Sequence, residues 1–136
     1  MTPSSKSSQD FEPKVVVTSI SFSKSLVLKK SLLNIFPNSI FNETGQRLTG
    51  GKLIKFINNA DAAIVGIETI DDSLLKNTPS LKIISKYGVG LDTIDQKSLK
   101  DRGIILGWTG GVNRRSVSEL TLGFMIGLSR NLFASG

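Results

Sequence analysis

At 136 residues, with 39% hydrophobic and 21% charged side chains, the chain is long enough for one domain with a real core and too short for two. It has no cysteine and no histidine, which excludes disulfides and thiolate chemistry and removes the commonest general base and metal ligand together. The formal charge of +6 is spread from Lys6 to Arg130 with few aromatic residues among it, the pattern of a solvated surface and not of a nucleic-acid patch.

The chain opens on a Ser-, Thr- and Lys-rich stretch, expected to be a disordered tail over residues 1–12. It has no apolar core of the kind a secretory signal needs, so a cytoplasmic protein is expected. No apolar run reaches the roughly 18 residues that would span a bilayer, and no membrane contact is expected.

Lys14 to Ile20 is a β-branched run, the mark of a strand covered on both faces. Ser23 reads as the N-cap of a helix whose Leu26, Leu28, Leu32, Leu33 and Phe36 form an apolar stripe up to Pro37. Ser39 to Asn42 is a weak second strand. The Asn42-Glu43-Thr44 sequon that overlaps it is taken as chance in a chain without a secretory signal. Thr49 to Asn58 is a short helix with Leu53, Ile54 and Ile57 on one face. Ala62 to Gly66 is a third strand, after which Asp71 or Asp72 caps a brief helix that ends before Pro79. Leu81 to Lys86 is a fourth strand, Ile94 to Arg102 a helix stopped by Gly103 in the left-handed region, and Ile104 to Leu106 a fifth strand.

Alternation of strand and helix implies right-handed crossovers and a parallel sheet. The expected class is α/β: a flavodoxin-like doubly wound parallel sheet of about five strands, three-layer αβα, over residues 13–113. Ligands of such sheets sit beyond the carboxyl ends of the strands, here the loops after Val65, Lys86 and Leu106.

Two glycine patterns imitate nucleotide sites and fail on register. Gly45 to Gly50 with Gly51-Lys52 resembles a P-loop, but a second Gly precedes the Lys and Leu53 stands where Ser or Thr would hold magnesium. Gly88-Val89-Gly90 follows a strand like a dinucleotide fingerprint, but Thr93 replaces the third Gly and no acidic residue follows at the right distance. Glycines at the end of a strand also let successive N–H groups turn outward into a nest for an anion, and they serve equally in a plain tight turn.

Gly107 to Asn113 leads into Ser116-Val117-Ser118-Glu119, which reads as a capping box opening the last helix, over residues 114–136. In that helix Val117, Leu120, Leu122, Phe124, Met125, Ile126, Leu128 and Leu132 cover most of the circumference, as in a helix buried on all sides. Such a helix asks for a partner surface: a second domain, a second subunit or a dimer mate.

Taken together, L-K-I-I-S-K-Y-G-V-G-L-D-T-I-D, a helix, R-G-I, a strand and N-R-R-S-V-S-E-L resemble the substrate (lid) domain of the D-isomer-specific 2-hydroxyacid dehydrogenases, with the phosphoglycerate dehydrogenase-like members nearest. The likeness is strong from about Lys82 onward and rests on strand order before Pro79. The resemblance implies two flavodoxin- or Rossmann-like domains with the active site between them. It assigns substrate binding to Gly88, Val89 and Gly90: the backbone of Val89 and Gly90 would hold a carboxylate beside the nicotinamide, with Gly88 shaping the turn. NAD or NADP would serve the complete enzyme, and none is expected to bind this chain alone. Asn113 to Glu119 would cross toward a cofactor domain, so that Val117, Leu120, Phe124 and Leu128 face that domain or a second subunit.

The family's catalytic Arg, Glu and His and its G-x-G-x-x-G loop match no position here, so no catalytic residue and no metal ligand is assigned. Trp108-Thr109-Gly110 stands where many members have N-T-P. Glu68 stands where some have an Arg, and is expected to repel a phosphorylated substrate. The chain is thus expected to be the substrate-binding part of an NAD(P)-dependent oxidoreductase of D-2-hydroxy or 2-keto acids, truncated and inactive alone. The alternative is a stand-alone, non-catalytic flavodoxin-like module that binds a small carboxylate or a protein partner.

Overall fold

In the computed structural model, which describes residues 12–132, the strands are β1 (Val15–Val17), β2 (Ile40–Phe41), β3 (Ala62–Val65), β4 (Ile83–Lys86) and β5 (Ile105–Gly107). They form one sheet in the order β2–β1–β3–β4–β5, every pair parallel. The helices are α1 (Ile20–Lys24), α2 (Leu26–Ile35), α3 (Gly50–Ile57), α4 (Asp72–Lys76), α5 (Gln96–Asp101) and α6 (Arg114–Ser129). This is the doubly wound α/β order expected from the alternation of strand and helix. The tail expected over residues 1–12 lies, apart from Glu12, outside the described residues.

The strand period of two divides the sheet's side chains cleanly. Val16, Ala63, Val65 and Ile84 are at most 1% exposed and join Leu53 and Ile57 of α3, Leu74 and Leu75 of α4 and Leu99 of α5 in one apolar cluster. The opposite face is more thinly covered. There Leu32 of α2 and Phe36 just beyond it border an apolar groove floored by Val15, Ala62, Ile64 and Ile83. Ile83 and Ile105 remain 41% and 64% exposed, so the second helical layer stops short of β5.

Several local expectations are corrected. The first strand ends at Val17, and Ser19 opens α1, its Oγ accepting from the Phe22 N–H. Ser25 then caps α2 by accepting from the Leu28 N–H. Ser23 is no cap: it is buried and its Oγ donates to the Ser19 carbonyl at 2.8 Å. Three serines at short spacing compete for the same role, and the two that stay extended win it. The stripe of α2 is also shorter than expected, since Leu26 is 83% exposed.

Asp71 caps α4, and Asp95 caps α5 one residue into the expected helix. Gly103, at φ +68°, stops α5 as expected. The capping box at Ser116 is not formed. Asn113 occupies the N-cap of α6 without a side-chain bond, and Glu119 pairs with Arg115 at 2.7 Å. The S-x-x-E spacing is outweighed because the helix already runs from Arg114, leaving Glu119 to the Arg one turn before it.

Helix α6 was expected to be buried on all sides; among its described residues only Gly127 is buried. Val117, Leu120, Phe124 and Leu128 are 50%, 60%, 52% and 70% exposed. No helix among the described residues is long and apolar enough to cross a membrane.

Candidate substrate site

Strand β4 lies between β3 and β5, and its carboxyl end delivers the Gly88–Gly90 loop. The Tyr87 N–H makes the last ladder bond, to the Val65 carbonyl at 2.8 Å. Gly88 then adopts φ +126°, a conformation that side chains resist and glycine accepts. The chain rejoins the scaffold at Ile70, whose N–H donates to the Thr93 carbonyl at 2.8 Å and whose carbonyl accepts from Asp95 at 2.9 Å. Between these two anchors the loop arches free. Among the described residues the N–H groups of Gly88, Val89 and Gly90 have no acceptor. Three consecutive unpaired donors thus stand at the carboxyl end of β4, beside the loop after β5.

Gly90 is constrained by its neighbour: a Cβ there would meet the Asp92 Oδ1 at 2.6 Å. The Val89 carbonyl accepts from the Trp108 indole N–H at 3.0 Å. This bond ties the loop after β4 to the loop after β5. The same indole lies over Gly110, where a Cβ would come within 2.7 Å of its ring. Trp108 thus takes the space that a proline at that position would fill, which accounts for the pairing of Trp108 with Gly110. The two loops line an open cleft of about 590 Å³, bordered by Lys86, Tyr87, Gly88, Val89, Trp108 and Asn113.

Of the expected loop residues Gly88 and Val89 border this cavity, beside Trp108, Lys86 and Tyr87, which the sequence did not single out for substrate binding. Trp108 was visible only as a departure from a pattern, because its contact spans 19 residues of chain. Lys86 Nζ donates to the Gly66 carbonyl, holding the loop after β3 against β4. Tyr87 packs edge-on against Phe22 of α1, with ring centroids 5.4 Å apart at 83°.

Glu68 does not play the part expected of it. It is 1% exposed, and its Oε2 accepts from the Gly66 N–H at 2.6 Å. The carboxylate is turned onto its own backbone, so any effect on a phosphorylated substrate would act through its charge and not through direct contact. Arg47 donates to the Ile67 carbonyl, so cations hold the first two carbonyls of this loop.

The carboxylates whose pKa is clearly lowered lie outside the cavity. They are Glu43 through its hydrogen bond with Lys29, Asp61 through Lys82 and then the Lys14 N–H, Asp72 through Lys76 and Arg102, and Asp95 through Ser98. Among the described residues no group of three acidic side chains could hold a metal ion. The residues do not fit a dinucleotide either. Gly90 leads into a turn closed by the Ile94 N–H on the Leu91 carbonyl, and α5 starts only at Gln96. No helix N-terminus follows the glycines to receive a pyrophosphate.

Residues 20–134 match the family described as D-isomer specific 2-hydroxyacid dehydrogenase, catalytic domain. A hydroxypyruvate reductase of Thermotoga maritima is 33% identical over 90 residues, which are 65% of this chain and 29% of that protein. A glyoxylate reductase of Thermofilum pendens is 31% identical over 121 residues, 88% of this chain and 35% of that protein. The chain therefore spans about a third or less of the curated relatives it matches. Among solved structures, the NAD+-bound 3-phosphoglycerate dehydrogenase of Entamoeba histolytica superposes with a TM-score of 0.70 at 29% identity, over 85% of this chain and 39% of that one.

Proposed function

Because the chain belongs to the D-isomer specific 2-hydroxyacid dehydrogenase family, we propose that it is the substrate-binding part of an NAD(P)-dependent oxidoreductase acting on the CH–OH group of a D-2-hydroxy acid, or in reverse on a 2-keto acid. The observation that carries this reading is the run of unpaired N–H groups at Gly88, Val89 and Gly90, of which Gly88 and Val89 border the cavity shared with Trp108. Hydrogen bonds from amides to an ionised acceptor are the stronger kind. An amide cradle on a rigid strand end would fix the acid's carboxylate and so orient its C2.

The nicotinamide cofactor would be held elsewhere in the complete enzyme, since the Gly88–Gly90 loop does not fit it. With no histidine in the chain, and with Lys86 and Tyr87 the titratable side chains among the described residues bordering the cavity, this part alone supplies binding without the usual proton donor. It is inactive by itself. The exposed face of α6 at Val117, Leu120, Phe124 and Leu128 would dock on the cofactor domain or a second subunit.

The test is a nitrogen–proton correlation titration of the chain with glycolate, glyoxylate, pyruvate and D-lactate. The expected result is saturable shifts at the Gly88, Val89 and Gly90 amides, lost in Gly88→Ala while its remaining spectrum stays folded. Acids that leave those three amides unmoved at tens of millimolar concentration overturn the reading. NADH-dependent reduction of glyoxylate by the purified chain would overturn the claim of inactivity.

A further inference from the structure

An open groove of about 450 Å³ lies between α3 and β2, bordered by Lys14, Ile40, Lys52, Lys55, Phe56 and Asn58. Lys14 precedes β1, Ile40 opens β2 and Asn58 closes α3, so the groove sits at the amino ends of these strands. The Gly88–Gly90 loop stands at the other end of the sheet, after β4, and no residue borders both openings. In α3 Leu53 and Ile57 are buried, which leaves Lys52 and Lys55, three residues apart, on one flank of the helix. Facing them, Ile40 pairs in register with Val16, a member of the apolar cluster under α3. Register partners in a parallel sheet share a face, so Ile40 carries that apolar surface outward and stays 45% exposed.

No carboxylate balances the lysines of this groove. None borders it, and the amines of Lys14, Lys52 and Lys55 have no hydrogen bond or ion pair with any described residue. The acids at hand are already engaged. Asp61 accepts from Lys82 and from the Lys14 N–H, and Glu43, just past β2, holds Lys29. An uncompensated cluster of cations over an apolar floor favours a ligand with both negative and apolar side chains. β2 is also an outer strand of the sheet, so one of its sides has no strand beside it and can take an extended segment.

We propose that this groove docks an extended acidic segment of a partner protein. Alternate side chains of a strand face the same way. Those facing the groove would set apolar groups on Ile40 and Phe56 and carboxylates on Lys14, Lys52 and Lys55. Docking here is independent of acid binding at Gly88–Gly90.

The experiment titrates the 136-residue chain in low salt with the peptide Glu-Ser-Val-Ser-Glu-Ser-Val-Ser-Glu, which sets glutamates and valines alternately along one side of a strand. Three controls replace its glutamates by glutamine, replace its valines by serine, or substitute a short oligothymidylate. The acidic peptide is expected to shift the amides of Ile40, Phe41, Lys52 and Lys55 and to leave Gly88 to Gly90 unmoved. The glutamine peptide should bind about tenfold more weakly, as the loss of exposed ion pairs at the three lysines implies, and the serine peptide several-fold more weakly. Lys52→Gln with Lys55→Gln, both exposed, should weaken the acidic peptide about fivefold with the melting temperature unchanged. Lys52→Glu with Lys55→Glu should abolish binding. The proposal is overturned by equal affinity for either control peptide, by affinity that survives the paired glutamine variant, or by the absence of shifts at Ile40 and Lys52. The lysines would then only guard an exposed edge. Tighter binding of the oligothymidylate at the same amides overturns it in favour of a nucleic acid.

Discussion

Single residues set the shape of the site. Gly88 turns the chain at φ +126°, and an alanine held there would store about 1–3 kcal/mol of backbone strain. Gly88→Ala is therefore expected to lower the denaturant midpoint as well as to abolish carboxylate binding. Trp108 acts differently, through the Val89 carbonyl. Trp108→Phe keeps the ring and removes the donor, a loss of about 1 kcal/mol. It should lower the backbone order parameters of residues 88–90 and weaken carboxylate binding several-fold, with a melting loss of only about 3–5 °C. A melting loss as large as that of Gly88→Ala, with unchanged loop order, would show that the indole is merely structural. The glycines were legible in the sequence because few residues can make such a turn. Trp108 was not, since its partner comes from another strand's loop.

At the scale of elements, what could be read depended on how far a segment's partners lie along the chain. Strand β3 was found nearly to the residue because its AAIV run is short, continuous and apolar, as in a strand inside a parallel sheet. Helix α1 was missed. Its Thr18 to Ser25 segment carries no apolar period; Ser19 caps it, and Ser25 ends it and caps α2 in turn. Ser19→Ala and Ser25→Ala should each cost about 1 kcal/mol, measured by urea unfolding. Ser19→Ala should in addition disturb the Phe22–Tyr87 contact, visible as changed ring-proton shifts of Tyr87. For α6 the apolar circumference was legible and its covering was not. With Leu120 and Leu128 60% and 70% exposed, the isolated chain is expected to self-associate with rising concentration in sedimentation. Leu120→Ser with Leu128→Ser should return it toward the monomer. A wild-type chain that stays monomeric at high concentration would contradict this.

For the whole molecule, charge gives a definite stability profile. Asp61, Asp72, Asp95 and Glu43 are each held below the ordinary carboxylate range by a hydrogen-bonding partner. Each releases its proton more readily folded than unfolded, so its contribution is complete above that range and is lost as pH falls through the lowered values. The chain has no histidine or cysteine, so no side chain with an ordinary pKa near neutrality titrates between about pH 5.5 and 7.5. The urea midpoint should accordingly be level across that interval and fall below about pH 4. Asp61→Asn, which removes the charge paired with Lys82 and leaves one oxygen where two accept from Lys82 and Lys14, should lower the neutral midpoint and flatten the acid limb. A midpoint that moved near pH 6.5 would contradict this account. The strand order was legible at this scale because βαβ handedness leaves few topologies. The uneven cover of the two faces was not, because Ile83 and Ile105 read in sequence as buried as Ile84 does.

The indole that bridges the two loops is also the molecule's sole tryptophan. Its ring edges a cavity wall while its nitrogen holds the carbonyl beside the amide cradle. Filling the cradle would alter the polarity and rigidity around that one chromophore and no other of its kind. The chain thus carries a built-in optical gauge at its site, whose emission reads occupancy directly and needs neither label nor turnover.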